Sequence, residues 1–314
     1  MRYLLIILII AAALLHVMLP VSTLSLDPDL ARLILIELRL PRTLLVLGYG
    51  AVLGVSGAAL QAIFANPLAS PDITGASSSA ALGAVIGGYW FGLTQPLALA
   101  ACGGVGAAAA LVILVHLLNR RGDSTSLLLA GLAITLAAGA ATSLALALAP
   151  SPFAFYDAFD WLMGSFVDRS LGQAAAALIP AAIATALLLR RARALDLFAL
   201  GDDVAASLGV RPRALAIEVV ALSAIAVGAC VSVAGAIGFV GLVAPILARR
   251  LSRGHPGRAM VPAAAIGALL LTMADLVVRA VPLDRPIPVG VITALFGTPL
   301  FLWLVITMQR RVTA

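Results

Sequence analysis

Apolar runs of about 20 residues, the length that crosses a hydrocarbon core of about 30 Å, recur from Tyr3 to Met308 with only short interruptions. A soluble domain is roughly 45–50% apolar and about 25% charged, whereas this chain is 62% hydrophobic and 11% charged. The bilayer is its solvent. The runs predict spans near residues 3 to 20, 43 to 65, 72 to 91, 96 to 118, 125 to 149 and 171 to 190, then 214 to 248, 260 to 280 and 287 to 308.

The run from 214 to 248 decides the topology. As a single helix its 35 residues would measure about 52 Å at 1.5 Å per residue, far more than one crossing needs. The chain holds no lysine, so all 20 basic residues are arginine. Arg190, Arg191, Arg193, Arg211 and Arg213 precede the run, and Arg249, Arg250, Arg253 and Arg258 follow it. Short loops this rich in arginine belong in the cytoplasm. The run then crosses twice, turning near Ala234, Gly235 and Ala236. That predicts an all-α membrane protein with ten transmembrane helices and both termini cytoplasmic, in one transmembrane domain over residues 1–314. Only Arg32, Arg39, Arg42, Arg169, Arg279 and Arg285 fall outside; the other fourteen arginines lie inside.

Arginines that flank apolar spans, rather than gather on one soluble face, exclude a nucleic-acid partner. Cys102 and Cys230 sit in runs of small residues without CxxC spacing and read as packing residues. His16, His116 and His255 are too scattered for a metal site. Met1 and Arg2 ahead of an apolar stretch to Leu19 resemble a signal peptide, yet no A-x-A-like site closes it, so it reads as an uncleaved first span. Val55–Ala58 with Pro67 echo Val233–Ala236 with Pro245 at a constant offset, a faint sign of an internal repeat.

Arg39-Leu-Pro-Arg42 is followed by Gly54, Gly57, Gln61 and Asn66-Pro67-Leu68-Ala69. Pro41 and Pro67 each disfavour helix at the residue before them, which marks a corner and a helix end. Packing accounts for the glycines, but not for Gln61 within an apolar span. Further on come Gly75 to Ser77, Ser124 to Gly131, Trp161 to Gly164, Leu200 to Gly209, Gly235 to Pro245, Ala274-Asp275 with Arg279, Pro288 to Gly290 and Gly297 to Pro299.

This series resembles the permeases for iron-siderophore, haem and cobalamin import, of the FecCD and vitamin B12 type, over residues 39 to 308. The resemblance implies the ten-span permease subunit of an ABC importer in the cell inner membrane. Such permeases work as homodimers, with a periplasmic substrate-binding protein outside and two cytoplasmic ATPase subunits inside. The cargo that the resemblance implies is an iron chelate (ferric siderophore or haem), with cobalamin as the alternative. The chain itself is not an enzyme and binds no cofactor: the phosphate-binding motif G-x-x-x-x-G-K-[ST] needs a lysine, so ATP is used by the partner ATPase.

The resemblance also assigns sites. Arg39, Arg42 and Arg279 match arginines that, in the B12 permease, meet two glutamates on the lobes of the binding protein. Structural pairing of Arg279 with Asp275 and of Arg39 with Glu37 is the competing reading. Leu195 to Arg213 resembles the cytoplasmic coupling loop, with Gly201, Asp202, Asp203, Ser207, Leu208 and Gly209 as its ATPase contacts. Asp202 and Asp203 suit a helix N-terminus and Gly209 a helix end; an ordinary basic loop is the alternative. Ser78, Thr125 and Ser126 match pathway and gate positions, Ser78 standing where the B12 permease has Asn, though hydroxyls at helix ends also serve as caps.

Two other classes compete. An ion-coupled secondary transporter places carboxylates near the middle of the bilayer, whereas the acids here sit toward span ends or in loops, Glu218 about one turn inside its span being the exception. A lipid-modifying membrane enzyme needs a D-x-x-x-D cluster, and Asp202-Asp203 is not one.

Overall fold

The computed structural model describes residues 2–19, 27–93, 95–121, 124–148, 162–281 and 287–312. Trp161 and Arg285 lie outside these. The helices are α1 (Arg2–Met18), α2 (Pro28–Ile34), α3 (Leu40–Ile63), α4 (Ala76–Tyr89), α5 (Pro96–Arg121), α6 (Ser124–Ala147) and α7 (Leu171–Arg190). They continue with α8 (Ala192–Phe198), α9 (Asp202–Ser207), α10 (Pro212–Ala234), α11 (Val240–Leu251), α12 (Pro256–Ala280) and α13 (Val289–Val312). Among the described residues there is no strand. Six segments are long and apolar enough to cross a membrane: the continuous run Pro28–Ile63, and stretches of α5, α6, α7, α10 and α12. Shorter apolar stretches occupy Ile7–Met18 of α1 and Val289–Trp303 of α13.

α3 is the centre of the bundle. In the most apolar stretch of its run 78% of residues are buried, against 22% in α6, so α3 packs on protein while α6 faces outward. Small residues let α3 approach its neighbours at backbone distance, as membrane helices must when no hydrophobic force separates protein from lipid. A Cβ on Gly54 would lie 2.0 Å from the Ala263 carbonyl oxygen of α12, and one on Gly57 1.9 Å from that of Gly241 in α11.

Pro41 does not break the helix, contrary to the corner expected there. α2 runs into α3 through a π turn, Leu35–Arg39, in which the Leu40 amide donates five residues back to Leu35. A proline ring clashes with the carbonyl four residues earlier, here Glu37, and the widened turn accommodates it. Pro67 behaves as expected: α3 ends at Ile63, and a 3-10 turn, Pro71–Thr74, leads into α4.

The long run from 214 to 248 is two helices, α10 and α11, separated by the non-helical residues 235–239. The break falls where the small residues predicted it. Irregular backbone at membrane depth survives only if its polar groups are satisfied by protein. Here Tyr49 donates its hydroxyl to the Gly235 carbonyl at 3.2 Å, and the Ser165 amide donates to the Ala234 carbonyl at 2.8 Å. Gln61 donates to the Leu242 carbonyl at 3.1 Å, which gives the amide nitrogen of this side chain a partner in an apolar span, while its Oε1 is buried without one. The sequence echo does not mark equivalent elements, because it aligns the interior of α3 with the end of α10 and the break.

Candidate functional site

Two groups of side chains mark opposite ends of α12, which at 25 residues is about 37 Å long.

At one end, three helices converge on Asp275, which is 1% exposed. Arg42 grips its carboxylate with two hydrogen bonds, Nε to Oδ2 at 2.8 Å and Nη2 to Oδ1 at 2.9 Å. This is the bidentate fork that makes arginine rather than lysine suited to carboxylates. His16 of α1 is fully buried, with Nε2 2.8 Å from Oδ2 of Asp275 and Nδ1 2.7 Å from Oγ1 of Thr43. The Thr43 hydroxyl in turn donates to the Arg39 carbonyl at 2.8 Å.

The carbonyls at the end of α1, which have no partner within the helix, are met by the other two arginines. Arg39, 6% exposed, donates Nη1 to Val17 at 3.0 Å and Met18 at 2.9 Å. Arg279 donates to His16 and Leu19. Cations there also oppose the negative end of the helix dipole.

The structure thus gathers Arg39, Arg42 and Arg279 at one place, but with other partners than the spacing suggested. The carboxylate of Asp275, four residues from Arg279, belongs to Arg42 and His16, while Arg279 turns to α1. His16 is the residue that sequence reasoning missed. Its only signal was a polar ring in an apolar span. Among the described residues no three His, Cys, Asp or Glu side chains are grouped to hold a metal.

At the other end lie α8 and α9. Gly201 (φ 103°) precedes α9, and Gly209 (φ 85°) follows it. The Gly209 amide bonds to Ala206 at 3.0 Å and the Val210 amide to Ala205 at 3.0 Å, the helix-ending pattern that a left-handed glycine permits. Gly201, Asp202, Asp203, Ser207, Leu208 and Gly209 are all exposed. Leu200 (60% exposed), Val204 and Leu208 add an apolar surface to this short segment. Glu218, the deepest acid by sequence, pairs with Arg191 at 2.7 Å, and both side chains are a third or more exposed.

Ser78 is half-buried on α4. Thr125 and Ser126 lie in the first turn of α6, and their side chains are outside the described set.

Residues 3–307 match the FecCD transport family. The chain belongs to this family. It is 38% identical to the hemin transport system permease protein of Yersinia pestis over 287 residues, 88% of this chain and 84% of that protein. It is also 38% identical to the cobalamin import system permease protein of Halobacterium salinarum over 291 residues, 90% of this chain and 76% of that one. Among solved structures it resembles an inward-facing metal-chelate type ABC transporter, with a TM-score of 0.89, 29% identity, and coverage of 97% of this chain and 98% of that one. A FecCD-family chain with six long apolar helices is a multi-pass inner-membrane protein. Its relatives are transport permeases rather than enzymes.

Proposed function

We propose that this chain is the membrane-spanning subunit of a binding-protein-dependent ABC importer that carries an iron chelate, a ferric siderophore or haem, across the inner membrane. The observation that carries this reading is the agreement of nearly the whole chain with a metal-chelate type ABC transporter. Cobalamin is the second reading, supported by an equally similar cobalamin permease.

Ten crossings with both termini cytoplasmic follow if α1, α4, α11 and α13 cross as well. α4 and α11 have 14 and 12 residues, about 21 and 18 Å of helix. They are preceded by the 3-10 turn Pro71–Thr74 and by the non-helical residues 235–239, which supply the remaining depth.

Two copies would enclose the pathway, with Ser78, Thr125 and Ser126 narrowing it. The exposed Leu200 and Leu208 that flank α9, with Asp202 and Asp203 in its first turn, suit a soluble ATPase subunit, one for each copy. Of the clustered Arg39, Arg42 and Arg279, the partly exposed Arg42 and Arg279 form the rim that meets glutamates of the binding protein, while Arg39, 6% exposed, is held against the end of α1 behind that docking contact. Rim charges of this kind set register and speed encounter more than they add affinity.

The test is reconstitution of the permease with its ATPase and binding protein in vesicles, followed by uptake of haem, a ferric siderophore and cobalamin. ATP-dependent uptake of one of the first two supports the iron-chelate reading. Uptake of cobalamin alone selects the second. Uptake driven by a proton or sodium gradient without ATPase would sink both.

A further inference from the structure

The segment that carries α8 and α9 is bonded to a helix remote from it in sequence. Oδ1 of Asp196, on α8, accepts the Gly257 amide hydrogen at 2.8 Å. Gly257 is in the first turn of α12, where amides lack partners within the helix and a negative group opposes the helix dipole. The contact needs glycine for steric reasons. A Cβ on Gly257 would lie 1.9 Å from the Ala192 carbonyl oxygen and 3.0 Å from Cγ of Asp196. Beneath it, Leu195 and Phe198 of α8 pack in one apolar cluster with Ala259 and Met260 of α12.

Arg191 is non-helical and separates α7 from α8; its side chain pairs with Glu218 of α10, and Leu188 at the end of α7 packs in the same apolar cluster as Leu195 and Phe198. To α12, α8 is tied differently, by a carboxylate bonded to a helix amide beside a close backbone contact. α12 is then gripped along its length by α3 at Gly50 and Gly54, and at its far end by Arg42 and His16.

We propose that Asp196 is a positioning residue of the transport cycle: displacement of α8 by the ATPase passes through the Asp196–Gly257 bond into α12, and from there to the cluster around Asp275. The proposal rests on the reading of α8 and α9 as the ATPase contact. It assigns the transmitted motion to α12, not only to the covalent neighbours α7 and α10.

The test uses the full permease with its ATPase and binding protein in vesicles, scored as cargo moved per ATP hydrolysed. Asp196→Ala, which removes the acceptor, should lower that ratio by about fivefold or more, the lower end of typical coupling between two sites. Asp196→Asn keeps an acceptor oxygen and should restore most of it. Asp196→Ser, whose shorter side chain ends before the Gly257 amide, should also lower the ratio, and it serves if Asp196→Ala does not assemble. A normal ratio in Asp196→Ala or in Asp196→Ser overturns the proposal, as does a loss in Asp196→Asn equal to that in Asp196→Ala. If the unsubstituted permease moves no cargo with ATP, the importer reading has failed, a result distinct from any of these.

Discussion

The imidazole of His16 and the carboxylate of Asp275, separated by 259 residues of chain, meet at 2.8 Å with both side chains buried. Together with Arg42 they join α1, α3 and α12 at a single point.

Removing the acid leaves a largely buried guanidinium without its partner, which costs about 3–5 kcal/mol in buried pairs. Asp275→Ala should therefore lower the unfolding midpoint of the detergent-solubilised protein markedly. Arg42→Met with Asp275→Leu should recover part of the loss. If Asp275→Ala unfolds like the parent, the cluster does not hold the three helices.

Gly54→Ala should prevent stable folding, because the new methyl would lie 2.0 Å from a backbone oxygen that cannot move without shifting α12. Gly104→Ala and Gly139→Ala meet nothing within 4 Å and should gain slightly from helix propensity. Monodispersity of the purified variants by size-exclusion chromatography separates the two outcomes.

Gly209 is constrained by conformation alone: its φ is 85° and the space around a Cβ is open. Gly209→Val should strain the end of α9 by about 1–3 kcal/mol and weaken ATPase binding in a pull-down, whereas Gly209→Asn, which tolerates the left-handed region, should bind nearly normally. Equal binding by both variants would remove the conformational argument.

Docking can be separated from structure by exchanging partners. Arg42→Asp with Asp275→Arg keeps an ion pair between α3 and α12 but moves the cation. Because the exchange also removes the acceptor bonded to His16, melting should fall between that of Asp275→Ala and the parent, while stimulation of hydrolysis by the binding protein falls. Full stimulation with the exchanged pair would show that Arg42 is structural only.

Single cysteines at Arg191 and Arg253, in a background lacking Cys102 and Cys230, should react with an impermeant maleimide only after the inner face is opened. Labelling of either from the periplasmic side would break the proposed topology.

Much of this architecture was legible because bilayer physics writes it locally. Apolar run length placed the six long apolar segments, the small residues Ala234, Gly235 and Ala236 placed the break in 214 to 248, and Asp202 with Asp203 and Gly209 placed the ends of α9. What stayed hidden depends on pairing across the chain. Pro41 signals a corner when only its predecessor is considered, and the π turn that absorbs it depends on how α2 continues. Asp275 and Arg279 lie four apart and invite pairing, yet the carboxylate is taken by Arg42, and only the packing of α3 on α12 reveals that. His16 had no local sign of its role, since its partners are Thr43 and Asp275. The Asp196–Gly257 bond was equally silent, because either residue alone reads as an ordinary loop or cap.

The grip on α1 also sets an order in time. Its final carbonyls emerge early, yet Arg279, which donates to His16, follows 263 residues later. At about 5–20 residues per second, the first helix waits roughly ten to fifty seconds in the bilayer before that partner is synthesised. Until then Arg39 and Thr43 are the described side chains that bond its last turn, so a nascent chain stalled before α12 secures its first helix through the α2–α3 run alone.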